Sequence, residues 1–192
     1  MSWVDTRLKH LCMDTGQYGL NVSADQYSQS GVRLIRTSDI ASGGSLSAPE
    51  DGVHVDVVVE PRHRLRPGDV LLSRSGTLGR SFLVPCAANG QPFAGFLIRF
   101  PPRSDVDPHF IYYATQSLPF QEVVHSEAVA STIQNFNAER YSNIALRAPE
   151  AAEQHRIADF LGAETARIDK LVLLRSKQSA VIREVSRLKQ ST

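Results

Sequence analysis

Leu161-Gly-Ala-Glu-Thr-Ala-Arg-Ile-Asp-Lys-Leu-Val-Leu-Leu-Arg-Ser-Lys-Gln-Ser-Ala-Val-Ile-Arg-Glu-Val-Ser-Arg-Leu188 is the stretch that decides the architecture. Within it Leu171, Leu174, Gln178, Val181, Val185 and Leu188 follow at spacings of three and four, and Ile168 and Ile182 widen the stripe. This is a coiled-coil-like seam with a polar Gln178 set into it. From Ala151 to Leu188 there is no proline, and the one glycine, Gly162, marks an expected break. About 27 residues from Ala163 onward would span roughly 40 Å as a helix. A lone helix that projects from its body leaves such a stripe in water, so it asks for a partner helix, supplied by another chain rather than by folding back.

Upstream the pattern is different. Val32 to Ile35, the alternating Val53 to Val59, Val70 to Leu72, Gly79 to Val84 and Phe93 to Phe100 read as strands, with Pro67-Gly68-Asp69 as a turn. Gly16 to Ser30 reads as a polar loop carrying Tyr18 and Tyr27, and residues 1–13 fit a helix and a strand equally. Asp107-Pro108 opens a helix with Phe110, Tyr113 and Ala114 on one face, which Pro119 breaks before a second short helix with Phe120, Val123 and Val124. Asn137 caps a turn through Tyr141, and Ile144 to Leu146 is a last strand. The fold class is therefore α+β: a β-rich body over 1–149, then a helical region over 150–192.

The chain of 192 residues is 42% hydrophobic and 21% charged, a composition that excludes wholesale disorder and fibrous repeats. Its net charge of +1 excludes a polybasic protein that coats nucleic acid by bulk charge. The charge is uneven. From Arg167 onward seven basic residues face Asp169 and Glu184, which leaves fourteen basic against eighteen acidic residues in 1–166. Cys12 and Cys86 lack metal-ligand spacing and read as free, mostly buried thiols of a reducing compartment, the cytoplasm by default. No apolar run is long enough for a membrane span.

Catalytic constellations are missing from the sequence. It has no phosphate-binding loop with its lysine, no G-x-S-x-G elbow, no H-x-x-x-H pair and no paired acid and lysine of a metal-dependent nuclease. Recognition chemistry is richer. Pro61 to Arg80 holds Arg62, Arg64, Arg66, Arg74 and Arg80, and Ser73-Arg-Ser-Gly-Thr77 places hydroxyls, a guanidinium and a flexible backbone on one turn. Arg36-Thr-Ser-Asp39 and Ser131-Thr-Ile-Gln-Asn135 are two further polar clusters. Guanidinium forks suit phosphates and guanine, and carboxamides suit adenine.

Three stretches together resemble the specificity subunits of type I restriction-modification systems. They are Gly31-Val-Arg-Leu-Ile-Arg-Thr-Ser-Asp-Ile40; Leu65-Arg-Pro-Gly-Asp-Val-Leu-Leu-Ser-Arg-Ser-Gly-Thr-Leu-Gly79; and a third set, Ser131 to Phe136, Glu153-Gln-His-Arg-Ile157 and Ala166-Arg-Ile-Asp-Lys-Leu171. The resemblance implies a mixed α+β target recognition domain that reads DNA and a long conserved helix. It implies no catalytic site or cofactor in this chain. Methyltransferase subunits, which modify adenine with S-adenosylmethionine, would be partners, and a restriction subunit can join them. A complete subunit of that family carries two recognition domains and two helical regions, whereas this chain has one of each. It therefore reads as a half-subunit, expected to homodimerise through its C-terminal helix, antiparallel, and to read a bipartite inverted-repeat target in double-stranded DNA.

The expected DNA-binding residues are Arg74, Ser75, Thr77 and Arg80, then Arg36, Thr37 and Ser38, then Thr132, Gln134 and Asn135, and finally Tyr18. Gly76 and Gly79 are assigned to backbone shape. The expected dimerisation seam is Ile168, Leu171, Leu174, Gln178, Val181, Ile182, Val185 and Leu188, and Glu153 to Ile157 is structural or a docking strip. The competing reading is a coiled-coil interaction module that binds a specificity or methyltransferase subunit without itself reading DNA.

Overall fold

The computed structural model describes residues 2–41, 44–47, 52–129 and 135–190. The chain forms two compact units, Met1–His155 and Arg156–Thr192. The first is built from antiparallel sheets. Strand β1 (Val4–Arg7) leads into the single helical turn α1 (Leu8–Leu11), so the N-terminal segment realises both of its patterns in succession. Strands β2 (Gln17–Tyr18) and β3 (Tyr27–Ser28) are two-residue pairings inside the stretch expected as loop. β4 (Val32–Leu34) and β3 flank β5 (Val53–Val55) in a three-stranded sheet.

The central sheet adds β6 (Val70–Ser73), β7 (Ser81–Leu83) and β8 (Leu97–Phe100), in the order β2-β8-β6-β7. All residues of β6 and β8 are buried, because both faces of this sheet are covered. One face packs Ile35, Ile40, Leu65, Leu71, Phe82, Phe93 and Leu97 into a core. Helices α2 (Pro108–Gln116), α3 (Leu118–Val129) and α4 (Ala138–Asn143) follow, and β9 (Ala145–Ala148) returns to pair with β1. Tyr141 of α4 packs among Phe100, Phe120 and Phe136, with ring centroids 6.3, 6.2 and 4.5 Å away.

Two strand expectations need correction. The Val53–Val59 alternation predicts one strand, but pairing stops at Val55. Val55 and Val59 are buried and Val58 is fully in water, so the alternation reports burial without a ladder. Pro61 begins a 3-10 turn there and cannot donate to a sheet. Likewise Phe93 to Phe100 pairs as a strand only from Leu97. Ala94 to Phe96 form a turn, in which the Gly95 N–H donates to the Leu20 carbonyl at 2.7 Å.

The family-like Leu65-Arg-Pro-Gly-Asp69 motif is structural. Gly68 takes the left-handed region at φ +88°, and Asp69 accepts the Arg66 N–H at 2.8 Å. Buried Arg99 stands 3.6 Å from the Asp69 carboxylate and donates to the Arg64 carbonyl at 2.6 Å. Burial pushes the Asp69 carboxyl up, against the pull of its hydrogen bond and of Arg99.

Helix α5 (Ala151–Gln190) begins against the body. Asp107 caps α2 by accepting the His109 and Phe110 N–H groups at 2.8 and 3.2 Å, and its other oxygen lies 2.7 Å from His155 Nδ1. Buried Gln154 accepts the Asp107 N–H at 3.1 Å and donates to the Pro149 carbonyl at 2.9 Å. Gln154 and His155 are thus the structural part of the Glu153 to Ile157 strip. Burial works against ionisation of Asp107, but the hydrogen bonds from His155, Phe110 and His109 outweigh it and hold the carboxyl below its usual range. Asp107→Ala is expected to cost about 2 kcal/mol at neutral pH, read as a lowered urea midpoint. A depressed acid stabilises above its unfolded value, so the gap to wild type should close as pH falls through the depressed value.

The thiols divide. Burial, with the Asp14 charge nearby, pushes Cys12 up to about 12; Cys86 is exposed, contrary to the expectation of mostly buried thiols. A thiol reagent at about pH 8 should titrate one cysteine per native chain and two after denaturation.

In the second unit α5 runs unbroken through Gly162, where a break was expected. One interior glycine costs about 1 kcal/mol relative to alanine, which a helix of 40 residues absorbs. Ile168, Leu171, Val172, Leu173 and Leu174 are each more than half exposed, and Gln178 is exposed with them. The side chains of Val181, Ile182, Val185 and Leu188 lie outside the described residues. Among the described residues no helix is long and apolar enough to cross a membrane.

Candidate nucleic-acid interface

The connection from β6 to β7, residues 74–80, is held at its base and open at its tip. Gly76 sits at φ +74° with nothing within 4 Å of a would-be Cβ, a conformation that other residues adopt only with strain. Below it the Arg74 N–H donates to the Phe96 carbonyl, and the Arg74 carbonyl accepts from Phe136, both at 2.9 Å. The Arg74 side chain is equally fixed. Its Nε donates to Asn135 Oδ1 at 3.1 Å, and the guanidinium lies 4.8 Å from the centre of the Tyr18 ring. Among the described residues its terminal nitrogens have no other hydrogen-bond partner. Arg74 thus presents a positioned fork whose terminal donors no described residue takes.

The other two arginines are more committed. Arg80 donates through one terminal nitrogen to the Ile40 carbonyl at 2.8 Å. Arg36 closes its fork on buried Asp39 at 2.8 and 3.2 Å, 5.9 Å from the centre of the Tyr27 ring. That hydrogen-bonded pairing raises the Arg36 guanidinium further. The Thr37 hydroxyl oxygen is buried and has no partner among the described residues.

Tyr18, Arg36, Thr37, Ser38, Arg74, Ser75, Thr77 and Arg80 line one cleft of about 730 Å³. The structure therefore brings eight expected site residues together from three separate stretches. Asn135 stands behind Arg74 as its hydrogen-bond acceptor; Thr132 and Gln134 lie outside the described residues. Among the described residues no carboxylate lines this cleft, and with Arg36 paired to Asp39 the guanidinium groups of Arg74 and Arg80 set its sign although the body as a whole leans acidic.

Sequence reading missed Asn21, Tyr27 and Phe96, which also line the cleft. Tyr27 was visible as an aromatic in a polar loop. Phe96, 63% exposed, was hidden by its assignment to a strand, where alternation would have buried it. Among the described residues no group of three or more histidines, cysteines or carboxylates is placed to hold a metal ion.

No family model matches the chain, and no curated protein does. Solved structures do. An HsdS subunit from Thermoanaerobacter tengcongensis superposes with a TM-score of 0.71 at 19% identity, over 91% of this chain and 45% of that one. A chain described under complex assembly and conformational transition of the type I R-M system gives 0.74 at 18% identity, over 95% and 43%. The fold is that of type I specificity subunits. A type I restriction-modification S subunit from M. genitalium agrees, with a TM-score of 0.61 at 17% identity over 90% and 41% of the two chains. The chain thus spans less than half the length of the specificity subunits it matches. Within this specificity-subunit fold the first two of the stretches that carry the sequence resemblance supply Arg36 to Ser38 and Arg74 to Thr77 of the cleft lining, and Asn135 of the third holds Arg74 from behind. The rest of the lining comes from Tyr18 to Val22, Tyr27, Arg80 and Ala94 to Phe96.

Proposed function

We propose that this chain is a DNA-reading specificity subunit of a type I restriction-modification system. The observation that carries the reading is a cleft with no carboxylate among its described lining residues, in which Arg74, held by Asn135 and Tyr18, keeps terminal donors that no described residue takes, beside the hydroxyls of Ser75 and Thr77. Phosphate contacts would set the register of the duplex, and Arg74 would read a base edge, guanine O6 and N7 being the geometric match for its fork. The chain itself does no chemistry. Cytoplasmic methyltransferase subunits carrying S-adenosylmethionine would methylate adenine at the site it selects, and a restriction subunit could join them.

The exposed apolar residues Ile168, Leu171 and Leu174 support pairing of two copies through α5. A homodimer would hold two recognition bodies, as the family resemblance implies for a complete subunit, and its two-fold axis would match an inverted-repeat target. The test is a map of methylated adenines in host DNA with and without the gene. Loss of one motif with identical inverted halves is the expected result. Unlike halves would mean a different half-subunit as partner. An unchanged map in a strain with active methyltransferase would overturn DNA reading and leave α5 as a docking helix for another subunit.

A further inference from the structure

The turn that carries Arg74 is tied at both ends by a single atom. Tyr141 Oη donates to the Ser73 carbonyl at 2.7 Å and accepts the Gly79 N–H at 3.0 Å. Ser73 precedes Arg74 and Gly79 follows Leu78, so one hydroxyl closes the base of the connection across its whole length. The site is fully buried. Three phenylalanines surround the ring, and for packing alone a fourth would serve. A buried hydroxyl costs free energy unless it is paired. Here it is paired twice, using its one donor and one acceptor on the two backbone groups that set the width of the turn.

The same short helix holds the other side of Arg74. The Ala138 N–H at the start of α4 donates to Tyr18 Oη at 3.0 Å, and Tyr18 is the ring on which the Arg74 guanidinium rests. One turn later Tyr141 grips the backbone from which Arg74 springs. Gln121 of α3 completes the hold by donating to the Gly79 carbonyl at 3.0 Å. We propose that Tyr141 is a positioning residue for base recognition: its hydroxyl fixes the 74–78 turn against α4, and thereby the register of the Arg74 fork with respect to Tyr18. This rests on the DNA-reading function proposed above. Burial pushes the Tyr141 phenol well above its ordinary range, so the hydroxyl keeps its proton, and both bonds, throughout the working pH range.

The experiment compares Tyr141→Phe with wild type on two duplexes, the target given by the methylation map and a single-base variant at the position read by Arg74, plus an unrelated duplex over a salt series. Asp107→Ala serves as a variant that weakens the same body without touching the turn. The expected result is a fall of about ten-fold in discrimination between target and variant for Tyr141→Phe, of the order a mispositioned bidentate contact loses. Its affinity for the unrelated duplex and its salt slope should not change, and Asp107→Ala should keep full discrimination. Should Tyr141→Phe not fold, Gln121→Leu, which frees the Gly79 carbonyl, takes its place with a loss in the same direction. Discrimination within two-fold of wild type would reduce Tyr141 to a core filler and overturn the proposal while leaving DNA reading intact. A wild-type chain that does not discriminate at all overturns both.

Discussion

Arg74→Ala should weaken binding to the specific duplex by about 1–3 kcal/mol, roughly five- to 150-fold, and should relax preference at one base-pair position. The size follows from how Arg74 is held. Its Nε is committed to Asn135 and its face rests on Tyr18, so little side-chain freedom remains to be lost on binding. Arg36 makes the internal comparison. Its fork is already closed on Asp39, so Arg36→Ala should act first on the stability of the Thr37–Asp39 turn, with a smaller and base-independent effect on DNA. Competition binding with single-base variants of the target separates the two. An Arg74→Ala protein with unchanged affinity, base preference and salt slope would remove Arg74 from the site.

How legible was this site beforehand? The residue types were legible, and so was their clustering within short stretches, because guanidinium and hydroxyl groups crowded on a glycine turn have few structural uses. That Arg36, Arg74 and Tyr18 share one cleft was not legible. It depends on β8 lying between β2 and β6, and on Gly19, where an added Cβ would come within 2.2 Å of the Phe93 carbonyl. Such a close backbone approach leaves no trace in local periodicity. Tyr141 was invisible for a related reason. A tyrosine inside a six-residue helix reads as core, and only tertiary contact shows its hydroxyl spanning a turn that ends 62 residues earlier in the chain. The errors share a cause as well. Alternation at Val53–Val59 and aromatics at Phe93–Phe100 report which side chains are buried, and burial does not require strand pairing. In α5 the break expected at Gly162 is absent, since helix propensity at one residue yields to the stability of a long helix.

A chain carrying Leu171→Glu and Leu174→Glu should be monomeric and should lose most of its affinity for the bipartite target. Both leucines are more than half exposed on α5, one helical turn apart, beside Ile168. Two carboxylates there would have to be desolvated against an apolar partner seam, a cost that exceeds the gain from the remaining contacts. Mass by light scattering should fall from twice 21.2 kDa to that value. Because two linked recognition bodies bind far more tightly than one, affinity for the full target should drop by about two orders of magnitude or more, while affinity for an isolated half-site is unchanged. Salt gives a second and opposite signature. The chain from Arg167 onward carries an excess of five positive charges, so pairing two such segments brings like charges together. Added salt should therefore strengthen dimerisation while it weakens DNA binding by counterion competition. A single coiled-coil surface with no DNA function would show the first trend alone. A wild-type chain that is monomeric at all salt concentrations and still binds the full target tightly would remove α5 as the dimerisation element.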